Sequence, residues 1–455
     1  MKKPQFLIPI LCLVIGILIY MMITSFKSTS GTYTSLEKNV HTPLAWLKKN
    51  PIPEPNYNGF PHEQTVTPDG GVTNRSFHDI SWQYFLWLTE EIEIGKGTEK
   101  MLRFETMHND ASINLTKNDT KGLSHILGGI QQAGSNSVLV DENHRAVYTT
   151  MIIDDNYRDF VTENNLNVPS SLRKFPDSTN FPNGSMSMKA AWKVIPKDKK
   201  APIGAYTRKA ELYKVVEIEG NLTTSDTYKD TDKHETVEET VALVGFHIAV
   251  VVEGHPEFIW ATFEHNENAI NYILKNESER TNYTFFNNFN VSNTGALKVN
   301  PKTQEISQDY VETSTTQVVR MHQYGGGTAE NQNNIEILNK EIRKALPNNS
   351  FAKYYHEVGA VWFNEPDALV PNWSLTVNDS LQTGSKTLSN AVIETFTQDN
   401  HSQNSCFSCH NTLKYNPVNG LPIDGKNVLT SHILLKNYIN AQSDEATLKA
   451  VNRTN

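Results

Sequence analysis

Cysteine is almost missing: the 455 residues contain three, at positions 12, 406 and 409. Three cysteines close at most one bridge, so a disulfide-stapled fold is excluded. Basic charge is also short, with 41 Lys and Arg against 50 Asp and Glu and a formal net charge of -9. That balance argues against nucleic acid and anionic membrane surfaces as partners. No internal repeat and no long low-complexity block occurs, which sets aside a repeat array. Long apolar runs are missing after the first 26 residues. What remains is ordinary for a globular body, with 38% hydrophobic and 20% charged residues. The length exceeds the about 100 to 200 residues of a usual domain, enough for one large core or two smaller ones.

The single apolar run covers residues 6–26, interrupted by Pro9, Gly16 and Thr24-Ser25, and follows Lys2 and Lys3. It is long enough to span a bilayer as a helix, and the basic pair before it keeps that end inside and exports the body. No Ala-x-Ala cleavage pattern follows, so residues 1–26 are expected to be an uncleaved signal-anchor. This places the chain in the cell membrane with its body in the periplasm. Cys12 lacks the small residues that precede a lipidated cysteine. Asn74-Arg75-Ser76 and Asn114-Leu115-Thr116 match the glycosylation triplet, a pattern that an Asn-rich chain produces by chance.

Residues 27–75, rich in Ser, Thr, Asn and Pro, read as a flexible tether. A folded β-rich body is expected over 76–395. It begins with a helix that Ser76 caps and Asp79 reciprocates, carrying Phe77, Ile80, Tyr84, Trp87 and Leu88 at helical spacing. Between 137 and 263 the texture turns to short β-rich runs. A hairpin is expected around residues 141–144, with strands over 189–195, 211–216 and 258–263. The run 241–252, apolar on both faces towards its end, suits a central strand. Helices are expected over 333–345, ended by Pro347, and over 388–398. Gly325-Gly326-Gly327 lacks the Lys and Ser/Thr of a phosphate loop and reads as a turn. The expected class is α+β, an antiparallel body with flanking helices and a carboxyl-terminal segment, 396–455, packed against it.

That segment carries Cys406-Phe407-Ser408-Cys409-His410. Two thiols three residues apart share a side of one helical turn, and the next residue is an imidazole. This is the arrangement that adds to the two vinyl groups of a porphyrin and ligates its iron. One covalent haem c is therefore expected, held by Cys406 and Cys409, with His410 on the iron. A thioredoxin-like pair would open a helix early in a βαβ unit, and a zinc site would need further ligands that no second cysteine pair supplies.

The group opposite His410 decides the chemistry, since Met raises the potential, a second His generally lowers it and an open position admits a small molecule. No Met follows His410, which leaves His432 as the strong ligand downstream. Upstream candidates are His247, His265, Met321, His322 and His356. His247 and His265 can approach one another across a hairpin if the register allows, and Glu264 adjoins His265.

The blocks Ser81-Trp82-Gln83-Tyr84-Phe85, Lys189-Ala190-Ala191-Trp192, Val244-Gly245-Phe246-His247-Ile248, Trp260 to His265 and Glu394-Thr395-Phe396-Thr397-Gln398 then lead into Ser405-Cys406. In this order they resemble bacterial cytochrome c family proteins, large exported chains with one carboxyl-terminal haem motif. The resemblance implies a periplasmic haem c protein and carries haem binding to Cys406, Cys409 and His410. It assigns no catalytic residue, substrate or redox partner. The expected function is electron transfer by a membrane-anchored monohaem cytochrome to a partner protein. The alternative is a peroxidase- or oxygenase-like haem enzyme with an open or displaceable sixth position, in which Arg320 or a distal His assists. A gas sensor is a third reading, without an evident signalling domain.

Overall fold

Strand-forming residues with apolar side chains at alternate positions build one eight-stranded antiparallel sheet. The computed structural model describes residues 46–58, 65–66, 72–94, 99–114, 126–272, 283–286, 297–308, 316–376, 380–400, 403–417 and 420–441. The elements below belong to one compact unit, Leu44–Thr65 with Thr73–Asn455; the other, Met1–Pro43 with Val66–Val72, falls almost wholly outside the described residues. The membrane anchor expected over 1–26 lies outside them too. Among the described residues no helix is long and apolar enough to cross a membrane.

The strands of the sheet are β1 (His108–Asn109), β2 (Tyr148–Ile153), β3 (Met186–Ile195), β4 (Thr207–Tyr213), β5 (Thr236–Val252), β6 (His255–His265), β7 (Tyr355–Phe363) and β8 (Gln382–Gly384). Their spatial order is β8-β7-β6-β5-β3-β2-β1. At 17 residues, β5 is long enough to pair with β3 along one edge and with β4 and then β6 along the other. Four helical segments matter here: α1 (Arg75–Leu88), α2 (Asp155–Glu163), α3 (Ala329–Ala345) and α4 (Cys406–Cys409).

One sheet face is the main core. Helical spacing puts Trp82, Phe85 and Leu88 of α1 on one side, where Phe85 stacks on Phe263 at 4.2 Å and Trp82 meets the same ring edge-on at 5.0 Å. Phe246, Ile248, Val250 and Trp192 complete this layer. Each large side chain so buried contributes about 1.5 to 3 kcal/mol. α3 lies beside α1 and ties to it where Trp82 Nε1 donates to Asn339 Oδ1.

A bulge in β5 decides what occupies the opposite face. Leu243 pairs with Trp192 and Gly245 with Ala191, so Val244 is an extra residue that resets the alternation. Val241 and Leu243 before it, and Phe246 and Ile248 after it, therefore all reach the main core. His247 and Ala249 are sent to the other side. Gly245 is required at this point, because a Cβ there would sit 2.7 Å from Val392 Cγ2.

Several expectations are corrected. The first helix starts at Arg75, and Ser76 does not cap it. Its Oγ is buried without a partner, while Asp79 accepts from Trp46 Nε1 and Gln83 instead of reciprocating. The preceding Asn74 is diverted to α3, donating to Asn331 Oδ1 at 2.6 Å and accepting from Asn334. Most of the tether expected over 27–75 lies outside the described residues; within it, Trp46, Leu47, Ile52 and Tyr57 pack on the main core. Residues 388–398 form no helix; 388–390 are irregular and 391–398 run as turns and a bend. There the Asn390 side chain accepts from the Val392 amide, and Glu264 takes the Ala391 amide, so the amides a helix would use are engaged elsewhere. The strand expected over 211–216 is two, broken at Lys214 between β4 and Val215–Ile218.

α2 is fixed by Asp154, whose carboxylate accepts from the amides of Tyr157 at 3.0 Å and Met186 at 2.8 Å. Burial outweighs those donors and raises the group from 3.8 to about 6. A raised folded value means that the native state holds the proton more tightly. Its contribution is complete below the unfolded value near 3.8 and is lost as pH rises through about 6. Asp154→Asn should flatten this part of the stability profile, read as the urea midpoint between about pH 4 and 7. An unchanged slope in the Asn variant would refute the assignment.

Candidate functional site

Alternation on the second sheet face brings together residues far apart in sequence. Met151 of β2 pairs with Lys189 of β3, Lys189 with His247 of β5, and His247 with Thr262 of β6. Ala249 and Trp260 are the next pair along. This stripe mixes a cation, an imidazole, a thioether and an indole, whereas the opposite face is mainly apolar.

The carboxyl-terminal segment covers the stripe. Phe407 is its fixing point: the ring is fully buried, 4.8 Å from Phe363 and 5.6 Å from Trp373, with Val361 and Leu388 around it. The turn before it is held where Gln382 Nε2 donates to Ser405 Oγ at 2.9 Å. Within α4, Ser408 Oγ donates to the Ser405 carbonyl at 2.6 Å and the His410 amide to the Cys406 carbonyl at 2.7 Å. Residues 432–441 then run as a helix, and Ile433, Leu434 and Tyr438 pack with Ala249, Val251 and Phe258.

Between the sheet face and this segment lies a cavity of about 390 Å³, lined by Cys406, Cys409, His410 and His432 and, from the sheet, by Lys189 and His247. Met151, Trp260 and Glu394 also reach it. A wider space of about 830 Å³ adjoins it and shares Met151, Lys189, His432 and Ile433 as walls. The dimensions fall within the range of small-molecule and cofactor sites.

The imidazole of His410 is oriented by a single bond, Nδ1–H donating to the Thr430 carbonyl at 2.8 Å. That bond fixes the tautomer and leaves Nε2 with its lone pair. Its ring faces Trp260 at 4.0 Å and stacks on His432 at 3.8 Å. Burial drives His410 well below its ordinary value, aided by His432 and opposed by the Thr430 carbonyl, so the ring is neutral. A neutral imidazole is the metal-binding form. Cys406 and Cys409 are free thiols, and burial raises both, Cys406 strongly.

Across the cavity His247 Nε2 lies 3.0 Å from the Glu394 carboxylate, which also accepts from the Asn390 amide at 2.8 Å. Burial pushes Glu394 up, but His247 and Lys189 more than offset it and hold it below the ordinary carboxylate value. Burial lowers Lys189, with Glu394 opposing.

The structure therefore brings together Cys406, Cys409, His410, His432 and His247. It does not bring in the others. The register pairs His247 with Thr262, so His265, three positions on, projects from the opposite face. There His265 Nε2 donates to the Ile203 carbonyl, and its neighbour Glu264 pairs with Arg320 rather than with it. Arg320 is spent on that buried pair and on Asn271, which removes it as a cavity proton donor. His356 bonds Asn266, and Met321 sits beside Gln398, both away from the cavity walls, as is His322. His432 has its ring face against His410 and donates from Nε2 to the Cys409 carbonyl at 3.0 Å.

The donor set suits a haem: two unbridged thiols and one pre-oriented neutral imidazole open on the same cavity, whose wall includes flat aromatic surface. Zinc is less well served, since among the described residues no group of three or more His, Cys, Asp or Glu is arranged to hold a metal ion. Lys189, Glu394, Thr430 and Trp260 are the site residues that composition and spacing did not single out. For Lys189 a signal existed, because a lysine at an inward position of a strand is rare enough to ask what it faces. No protein-family model, curated protein or solved structure matches this chain.

Proposed function

We propose that the chain is a monohaem c-type cytochrome, with haem c attached through Cys406 and Cys409 and its iron ligated by His410. The observation that carries this reading is the Thr430 carbonyl on His410 Nδ1, which leaves Nε2 for a metal in a cavity both thiols share. When bound, the haem supplies one-electron redox chemistry; the chain holds, orients and screens it. The sheet face from Met151 to Trp260 would wall one side of its site. The anchor expected over residues 6–26 would hold the body at the periplasmic side of the cell membrane.

Within that class the geometry favours small-molecule binding at the iron over a plain electron carrier. A carrier needs its sixth position filled by the chain. Of the candidates, His265 and Met321 lie away from the cavity, His247 is committed to Glu394, and His432 lies alongside His410. Lys189 and Glu394, with Ser187, Thr397 and Gln403 also in the lining, suit a polar guest better than an electron-tunnelling edge. The carrier reading keeps one observation in its favour, because His432 already borders the cavity and needs only a side-chain rotation to compete for iron.

The optical spectrum of the full chain separates the two. The expected result is a high-spin ferric iron that binds cyanide, and a ferrous form that binds carbon monoxide. A low-spin spectrum indifferent to both would return the chain to the carrier class. His432→Ala would then turn low-spin iron to high-spin if His432 is the ligand.

A further inference from the structure

We propose that Lys189 is the ligand-receiving residue of this cavity, its ammonium holding a small monoanion of the azide, nitrite or cyanide kind against the haem iron. The inference rests on the haem reading above and deepens it by naming the class of guest.

Lys189 stands where the two cavities meet, lining both the 390 Å³ chamber of Cys406 and His410 and the 830 Å³ space beside it. No other lysine or arginine lines the smaller chamber among the described residues. Its strand position forces it inward, because Met151 on one side and His247 on the other fix the register, and Ser187 and Ala191 share its face.

The ammonium has no partner that satisfies it. Glu394, the only carboxylate lining the chamber among the described residues, influences Lys189 through space, but its oxygens are engaged by His247 and by the Asn390 amide. Among the described residues Lys189 makes no ion pair or side-chain hydrogen bond. Lys189 is partly exposed rather than sealed off, so its charge stays open to pairing with a guest. A guest of one negative charge supplies that pairing, and a guest small enough to share the chamber with haem has only a few atoms. Neutral diatomic gases offer the ammonium no charge to meet, so selectivity between the two kinds of ligand is the signature of this arrangement.

The test is azide and carbon monoxide titration of the full-length haem-loaded protein, wild type against Lys189→Met and Lys189→Arg, followed optically. Removing a charge-assisted hydrogen bond should weaken azide about 10- to 100-fold in Lys189→Met. Carbon monoxide affinity should stay within about threefold, and Lys189→Arg should keep most of the azide affinity. Haem content is measured first on each protein. If Lys189→Met does not load haem, Lys189→Gln, which keeps a polar tip without the charge, takes its place. Equal azide affinity with and without the charge would overturn the inference, as would a loaded wild type that binds no azide. A low-spin wild type that becomes high-spin on Lys189→Met would overturn it too, by making Lys189 an iron ligand itself. A wild type without covalent haem defeats the earlier reading instead, a result distinct from all of these.

Discussion

A chain with Cys406 and Cys409 both replaced by serine should fold as the wild type does yet lose its haem on extraction with acidified acetone. Covalent retention is the property under test, since two thioethers survive conditions that release a merely ligated haem. Folding should persist because neither thiol closes a disulfide and neither is fully buried. Serine is close in size, and the packing of the turn depends on Phe407 between them. Each single serine variant should retain haem through the remaining thioether, so the loss is complete only in the double variant. His410→Ala, by contrast, should keep the covalent link and change the iron. Haem retained by the double serine variant would remove the attachment assignment. Unfolding of that variant, seen by circular dichroism, would show instead that the thiols matter to packing.

Phe407→Ala should cost about 3 to 5 kcal/mol, the range for deleting a fully enclosed aromatic side chain. The ring has no exposed surface and rests against Phe363 of the sheet and Trp373 of the covering loop, so its loss leaves a void between layers that are both well supported. The effect should reach the site, because the same turn positions Cys406, Cys409 and His410. We expect a lower urea midpoint with an unchanged slope, and slower haem loading. Phe407→Leu, which refills most of the volume, should recover more than half of the loss. A cost under about 1 kcal/mol would mean that the turn is held mainly by Ser405 and Gln382.

Legibility in the sequence followed interaction range. The Cys406–His410 motif is local, five consecutive residues, and the short helix expected of it is present at Cys406–Cys409. The central strands were readable because alternation and β-branched runs mark them. Their register was not, and it mattered: the bulge at Val244 sends His247 to the cavity, and the pairing with Thr262 separates His265 from it. Periodicity alone does not show an inserted residue, since a run apolar on both faces hides the change of phase. The expected capping at Ser76 failed for a similar reason. The residues were suitable, but Asn74 and Asp79 found partners in α3 and in Trp46, more than 30 positions away along the chain. Residues 388–398 carry helical spacing, yet the buried Glu264 and the Asn390 side chain draw their amides into turns. Lys189 and Glu394 were visible as members of a strand, a helix and the resemblance blocks, but not as site residues. Their meeting at one cavity depends on contacts of about 200 residues in separation, which no local pattern records.

The central claim, that Cys406 and Cys409 carry haem beneath a pre-oriented His410, is tested most directly by the intact mass of the full chain. The chain is made in cells able to attach haem c and measured under denaturing conditions. The predicted result is a mass increased by one haem, with neither Cys406 nor Cys409 open to alkylation and the haem recovered on the peptide that contains both. An unmodified mass with both thiols alkylated, from cells shown to attach haem to another c-type cytochrome, would contradict it.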